Sequence, residues 1–163
     1  MKRKTIEIKE DVKLPGTDII LEKGDKIRVL NESALSWIDL DSIYASYVEA
    51  LFFTEEDMWQ DEDPDLDTSD LKISSELERK IEDDIKDFIR EAEKAGIDFN
   101  ELPSTVGRYN LEDMIGHDFW LTRNRHGAGF WDKDYGGHED TLTEVAHGFG
   151  EVYVWPENGE IVA

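Results

Sequence analysis

The sequence predicts an α+β fold in which helices cover an antiparallel sheet, preceded by a small three-stranded β module. Three observations support this prediction. Apolar residues recur at helical spacing across residues 75–95, and residues 4–30 alternate apolar with polar side chains. Two later segments, residues 117–132 and 151–162, combine β-forming side chains with turn residues, so they are predicted to be the hairpins of the sheet.

The N-terminal segment predicts a β module over residues 1–38, and the remainder predicts an acidic α+β domain over residues 39–163. Two turn signals, Pro15–Asp18 and Glu22–Asp25, divide the module into three short strands. The β-branched residues that alternate with polar neighbours in these strands are Ile6, Ile8, Ile20, Ile27 and Val29.

Four helical segments are predicted in the main domain. The clearest is Ser75–Ala95, where Ser75 and Glu78 form a capping-box pattern and Gly96 follows at the position that helix ends favour. The others are residues 42–53 with Asp39 or Asp41 as the cap, Asn110–Ile115, and Thr141–Gly150 with Thr141 or Thr143 as the cap.

Residues His117–Asp132, named here the aromatic block, contain two histidines, two arginines, two aspartates and four aromatic residues. The arms Asp118–Thr122 and Gly129–Asp132 flank a centre rich in turn residues. Aromatic cross-strand neighbours stabilise hairpins, so these side chains already have a structural role. We therefore predict a hairpin scaffold here rather than an active site.

The histidines lack the spacing of a metal site. His117, His126, His138 and His147 are separated by nine, twelve and nine residues, whereas zinc sites use closely spaced ligand pairs. The alternative is a metal-dependent enzyme whose site is assembled in space from His117, His126, His138 and Glu139. The sequence has no nucleophile elbow and no Gly-rich phosphate loop. We predict that the protein is not an enzyme and uses no cofactor and no metal.

The composition is strongly acidic, with 40 Asp and Glu against 18 Lys and Arg and a formal net charge of -22. Residues 39–101 carry 22 acidic and 6 basic side chains, so most of the negative field originates there. Such a field repels nucleic acid and anionic membranes and attracts basic protein surfaces. The lack of cysteine, of a long apolar run and of a secretion signal leads us to expect a soluble protein of a reducing cytosol.

The segment Glu55–Asp70, named here the acidic tract, contains nine acidic residues and no basic one, and Pro64 within it indicates a loop. A row of carboxylates can imitate the phosphates of DNA, and Trp59 with Met58 would supply an apolar anchor. The predicted partner-binding residues are Glu55, Glu56, Asp57, Trp59, Asp61, Glu62, Asp63, Asp65, Asp67 and Asp70.

Two other interpretations of the acidic tract stay open. Asp65, Asp67, Ser69 and Glu76 fall at positions 1, 3, 5 and 12 of an EF-hand-like calcium loop, although position 6 is Asp70 instead of glycine. The second alternative is that the tract is a solvated loop without a partner, and that its charge keeps the protein soluble.

The aromatic block, HDFWLTRNRHGAGFWD, with YVEALFF upstream and LTEVAHGFGEVYVWPENGEIV downstream, resembles a family of small acidic proteins encoded by tailed bacteriophages. The resemblance covers Tyr44 to Val162, and family members commonly carry glycine at the position of Arg125. EDVKLPGTDIILEKGDKIRVL is similar to an N-terminal module attached to various phage proteins. The resemblance implies a phage origin and a bacterial cytoplasm, and it implies no catalytic residues.

These observations predict a non-enzymatic phage accessory protein whose acidic surface binds a basic, nucleic-acid-handling protein as a DNA mimic or an anti-defence inhibitor. We expect it in the cytoplasm of the infected host, without direct binding to nucleic acid or membrane. The alternatives are a virion or assembly component and the metal-dependent enzyme described above.

Overall fold

The computed structural model describes residues 5–7, 11–13, 20–24, 26–28 and 33–163. The chain divides into two compact units, Met1–Glu32 and Ser33–Ala163.

The described residues of the first unit include four short strands in two antiparallel pairs. The strands are β1 (Thr5–Glu7), which pairs with β4 (Lys26–Arg28), and β2 (Val12–Lys13), which pairs with β3 (Ile20–Leu21). Ile8, Val29 and the predicted turn at residues 15–18 lie outside the described residues, so the three-stranded arrangement stays a prediction.

Helix α1 (Leu40–Glu62) begins at one of the two caps that the sequence predicts. The Asp39 carboxylate accepts hydrogen bonds from the backbone N–H of Ser42 at 3.1 Å and from its hydroxyl at 3.0 Å. These bonds lower the pKa of Asp39, so the cap is ionised at neutral pH.

The C-terminal end of α1 lies well beyond the predicted end at residue 53. Glu, Met and Gln are good helix formers, and the last turns are held by Trp59, which is 1% exposed and donates from Nε1 to the Val154 carbonyl at 3.2 Å. No basic residue offsets the helix dipole in the last turn, so tertiary packing sets the length of this helix. The prediction of a loop is therefore wrong for residues 55–62.

Strand β5 (Lys72–Ile73) leads into α2 (Ser75–Lys94), which confirms the clearest helix prediction. The cap is one residue earlier than predicted, because the Ser74 hydroxyl accepts a hydrogen bond from the Leu77 N–H at 3.3 Å. Gly96 follows the helix with a φ of 98°, a conformation that favours glycine. The buried stripe of α2 consists of Leu77, Ile81, Ile85, Phe88, Ile89 and Ala92.

Residues 33–38 belong to the second unit, although they were predicted to lie in the N-terminal module. The Ser33 hydroxyl donates to the Glu93 carboxylate at 2.9 Å, and the Ala34 N–H donates to the same group at 2.5 Å. Glu93 lies in the last turn of α2, so these bonds attach the segment to the main domain.

The aromatic block is not a hairpin. A small antiparallel pair, β6 (Thr105–Val106) and β7 (Tyr109–Asn110), precedes α3 (Leu111–Arg123), which contains the first half of the block. The second half is irregular and includes one 3-10 turn at Phe130–Asp132. The predicted short helix at residues 110–115 is thus the start of a longer one.

The hairpin prediction was wrong because α3 is buried nearly all round. Between Met114 and Arg123 only His117 is partly exposed, so the helix lacks the polar face that helical periodicity requires. Gly116 lets α3 approach α1 closely, since a Cβ at this position would collide with the carbonyl oxygen of Ile43. The Ser46 hydroxyl donates to the Asp113 carbonyl across the same contact, at 2.6 Å.

Helix α4 (Glu139–Gly148) begins earlier than predicted, so the proposed caps Thr141 and Thr143 are wrong. The Glu139 carboxylate instead accepts the backbone N–H groups of Tyr135 at 2.7 Å and Gly137 at 3.1 Å. Its own backbone N–H and these two bonds lower the pKa of Glu139 and keep it charged at the helix N-terminus.

The C-terminal hairpin is confirmed over residues 155–162. Strand β8 (Trp155–Glu157) pairs antiparallel with β9 (Glu160–Val162), and the turn residues Asn158 and Gly159 have φ angles of 52° and 84°. The predicted wholly antiparallel sheet is wrong, because β5 pairs parallel to β9 and completes a mixed three-stranded sheet.

The main core is helical and aromatic. Phe88 of α2 stacks on Phe119 of α3 with ring centroids 4.4 Å apart and on Phe130 at 5.5 Å, and Phe149 meets Phe119 edge-on at 5.2 Å. The α+β class is retained, with helices supplying most of the core. Across the described ranges, no helix has the length and apolarity needed to cross a membrane.

Candidate functional site

The acidic tract forms a ridge built from three consecutive pieces. Residues 55–62 are the last two turns of α1, residues 63–67 are extended or turn-like, and residues 68–70 form a 3-10 turn. Helical backbone projects carboxylates in several directions along a rigid axis, so the first piece presents its charge on a fixed scaffold. Seven acidic side chains of the tract are exposed: Asp57, Asp61, Glu62, Asp63, Asp65, Asp67 and Asp70.

The other two acids of the tract are half-buried and engaged within the protein. Glu56 accepts a hydrogen bond from the Thr68 hydroxyl, which closes the tract onto the helix. Glu55 accepts the Thr54 hydroxyl at 3.1 Å, and its carboxylate lies 3.5 Å from Nε2 of His126. These two residues position the ridge, and the seven exposed acids supply its outward charge.

Trp59 does not lie on this surface. It is buried against Phe52, with ring centroids 5.8 Å apart at 90°, so it is part of the core and is unable to anchor a partner. Exposed apolar area on the same helix comes instead from Met58, which is 46% exposed, and Phe53, which is 79% exposed. Phe53 was not predicted as a surface residue, because it is the last residue of the predicted helical segment 42–53, which is rich in apolar side chains.

The outward face of α2 is also acidic, but its charges are locally paired. Each base lies three or four residues from its acid, as expected for a solvated helix face. The pairs are Lys80–Asp84 at 2.6 Å, Lys86–Glu82 at 3.4 Å, Arg90–Asp87 at 2.5 Å and Lys94–Glu91 at 2.6 Å. The acidic tract has no such counter-charges in its sequence, so its negative charge is not offset within the tract.

The structure does not bring the predicted calcium ligands together. The Asp67 carboxylate accepts the Ser69 hydroxyl at 2.6 Å and the Ser69 N–H at 3.0 Å, which lowers its pKa. Glu76 lies in the first turn of α2. Among the residues that the structure describes, no three His, Asp or Glu side chains are placed to hold a metal ion.

The histidines of the aromatic block and its neighbourhood are separated. His117 Nδ1 lies 2.8 Å from the Asp118 carboxylate, His126 faces Glu55, and His138 is the residue that precedes α4. His126 Nε2 is buried and has no hydrogen-bond partner within the described part of the chain. The structure therefore does not bring His117, His126 and His138 together.

Asp118 is fully buried, and each of its carboxylate oxygens has a hydrogen-bonding partner. Its Oδ2 accepts the Tyr135 hydroxyl at 2.8 Å, and its Oδ1 lies 2.8 Å from His117 Nδ1. Burial, followed by the negative charge of Asp118, raises the pKa of Tyr135 well above its usual range, so this tyrosine keeps its proton and donates.

Arg123 is the buried cation of the domain. Its guanidinium donates to Asp84 at 2.7 Å, to the Tyr47 hydroxyl at 3.2 Å and to the carbonyls of Gly150 at 3.0 Å and Phe149 at 3.3 Å. Burial raises the pKa of Tyr47 to about 12, although the neighbouring Arg123 opposes the shift. The Arg123 side chain of α3 thus connects α1, α2 and the segment that follows α4, and its role is structural.

No protein-family model, curated protein sequence or solved structure matches this chain. Its function must be inferred from its own residues and geometry.

Proposed function

We propose that the chain is a non-enzymatic phage accessory protein that binds a basic, nucleic-acid-handling protein in the cytoplasm of the infected host. The observation that carries this proposal is the acidic tract. Seven exposed carboxylates follow one another without an intervening base, in a protein whose other acidic helix face is charge-paired.

The charge density of the tract supports competition with DNA for a basic groove. The helical part, residues 55–62, presents three exposed acids over about 12 Å at the usual helical rise, or one outward charge per roughly 4 Å. Duplex DNA carries one charge per about 1.7 Å of its axis. The two densities are of the same order, and the short length of the ridge suits a groove that contacts only a few phosphates.

The apolar side chains beside the tract support a protein partner over a simple polycation. Phe53 and Met58 are exposed on the same helix that presents the charges. Interfaces combine a buried apolar anchor with surrounding polar contacts, whereas a purely electrostatic attraction needs no such anchor. We expect the partner to provide an apolar pocket next to its basic groove.

A pair of charge-matched variants tests the proposal. The tract variant replaces Asp57, Asp61, Glu62, Asp63, Asp65 and Asp70 by the corresponding amides. Asp67 is kept, since it caps the 3-10 turn. The control variant makes the same change of charge on α2, at Glu76, Glu78, Glu82, Asp83, Asp87 and Glu91.

Tagged wild type and both variants are used to capture proteins from nuclease-treated host lysate at low and high salt. We expect one nucleic-acid-handling protein to bind wild type and control at low salt, to dissociate at high salt, and to be lost with the tract variant. Equal capture by the tract variant, or loss with both variants, would contradict a specific role of the tract. Capture that is insensitive to salt would contradict the electrostatic basis.

A further inference from the structure

A groove of about 740 Å³ lies between α1, the β6–β7 hairpin and the start of α3. It exists because the side chains that α1 turns toward the hairpin are small. These residues are Ser42, Ala45, Ser46 and Ala50. The volume falls within the range of small-molecule sites, and the groove is distinct from the acidic tract.

The groove collects three basic side chains in a chain that is otherwise strongly acidic. Arg108, His117 and Lys133 all line it, and they come from the β6–β7 turn, from α3 and from the segment after the aromatic block. The Arg108 guanidinium donates to the Tyr109 hydroxyl at 3.0 Å and lies 5.1 Å from the centroid of the same ring. Within the described ranges Arg108 has no carboxylate partner, so its charge remains available to a ligand.

His117 is held in a fixed orientation at the groove. Its Nδ1 is engaged by the buried Asp118 carboxylate, and Asp118 is itself held by the Tyr135 hydroxyl. A carboxylate only accepts hydrogen bonds, so Nδ1 carries the proton and Nε2 is left as the second polar atom of the ring. Among the described residues Nε2 has no hydrogen-bond partner, and the ring lines the groove.

Two acids, Glu49 and Asp113, line the same groove and restrict what can bind there. With the overall charge of the protein they disfavour ligands that carry several negative charges. The charges of Arg108 and Lys133 balance those of the two acids, so the lining does not repel a ligand with a single negative charge. The apolar walls, which include Phe53, Val106 and Met114, favour a ligand with an apolar body.

We propose that this groove is a binding site for a small organic anion, with Arg108 and Lys133 holding its charged group, His117 Nε2 accepting a hydrogen bond from the ligand, and the apolar wall holding its body. None of the groove's basic side chains lies in the acidic tract, and Phe53 borders both the groove and the surface proposed for the partner. Lys133 also forms an ion pair with Asp132, whose two oxygens lie 3.3 Å from its ammonium, so a bound anion shares this charge with Asp132.

Two fluorescent probes with related bodies test this proposal on the full chain. One is 8-anilinonaphthalene-1-sulfonate, a monoanion, and the other is N-phenyl-1-naphthylamine, which is neutral. We expect one molecule of the anionic probe to bind per chain. The double variant Arg108→Gln, Lys133→Gln should weaken that binding about tenfold or more, and should leave the affinity for the neutral probe within about twofold.

Two further variants identify the location. The double variant Arg79→Gln, Lys80→Gln changes the same charge on α2 and should bind both probes like wild type. Ala45 is exposed on α1, so Ala45→Trp should fill the groove without disturbing the core and abolish binding of both probes. The proposal is overturned if the anionic probe does not bind, if binding survives Ala45→Trp, or if the α2 variant weakens it as much as the groove variant.

Discussion

The aromatic block and the acidic tract are both sixteen residues long, and they are opposites in structure. The block contains the side chains that look reactive, yet Asp118, Thr122 and Arg123 are buried and bonded within the domain. The tract contains a monotonous run of acids, and seven of its nine acidic side chains are exposed. Chemical variety in a sequence is thus no guide to availability, because buried polar groups must be satisfied internally.

The polar groups of the block connect it to the rest of the domain. Thr122 Oγ1 accepts the Phe130 N–H at 3.0 Å, and Asn124 Oδ1 accepts the Val152 N–H at 2.8 Å. Trp120 Nε1 donates to the Thr54 hydroxyl at 2.8 Å. The first bond fixes the irregular second half of the block against α3, and the other two connect the block to the segment before β8 and to α1.

The largest effect is expected from Arg123→Leu. The substitution leaves the part-buried carbonyls of Phe149 and Gly150 and the buried Tyr47 hydroxyl without their donor, and it removes a counter-charge of Asp84. We expect the free energy of unfolding, measured by urea denaturation, to fall by about 3 kcal/mol.

The control for this variant is Arg90→Leu on α2. Arg90 forms an exposed pair with Asp87, and such pairs contribute little, so we expect a change within about 0.5 kcal/mol. Equal losses in the two variants would show that Arg123 is not the link between the four elements.

The second comparison makes an Asp→Asn substitution once in the aromatic block and once in the acidic tract. Asp118→Asn places an amide nitrogen opposite either the Tyr135 hydroxyl or His117, and should cost about 2 kcal/mol in urea denaturation. Asp61→Asn on the exposed ridge should change stability by less than about 0.5 kcal/mol. A costly Asp61→Asn would mean that the tract is structural, which would weaken its assignment as a partner surface.

Local patterns in the sequence predict the elements that have one face in the core and the other in water. Helix α2 has one face in the core and one in water, so its apolar spacing, a serine at its start and Gly96 at its end all indicate the same helix. The hairpin at residues 155–162 is predicted by the Asn158–Gly159 turn, because asparagine and glycine readily adopt the positive φ angles that such a turn requires.

Long-range packing explains the remaining errors. The end of α1 depends on the bond between Trp59 and Val154, which are 95 residues apart, and no nearby residue signals it. The groove has the same origin, because Arg108, His117 and Lys133 are brought together only by the tertiary fold. The exposure of seven of the tract's nine acids could be predicted because it follows from composition and not from a partner elsewhere in the chain, whereas the role of these acids stays a prediction.

The smallest expected effect concerns Arg125, where α3 ends within the aromatic block. Arg125 N–H bonds to the Thr122 carbonyl at 3.1 Å and His126 N–H bonds to the Leu121 carbonyl at 3.0 Å, which is the Schellman pattern of helix ends. This pattern places Arg125 in the left-handed region, with a φ of 57°, where a side chain is disfavoured and glycine is not.

Arg125→Gly should therefore raise the free energy of unfolding by about 0.5–1 kcal/mol, measured by urea denaturation. The substitution also removes a contact of 3.3 Å to Glu151, but both side chains are exposed enough that the pair contributes little. Arg125→Ala is the matched control, because it removes the same contact and keeps a Cβ in the left-handed conformation. If Ala stabilises as much as Gly, the gain comes from the removed charge and not from the backbone. If neither variant stabilises, Arg125 makes a favourable contact that offsets its strained conformation, and the block is then optimised even at its exposed turn.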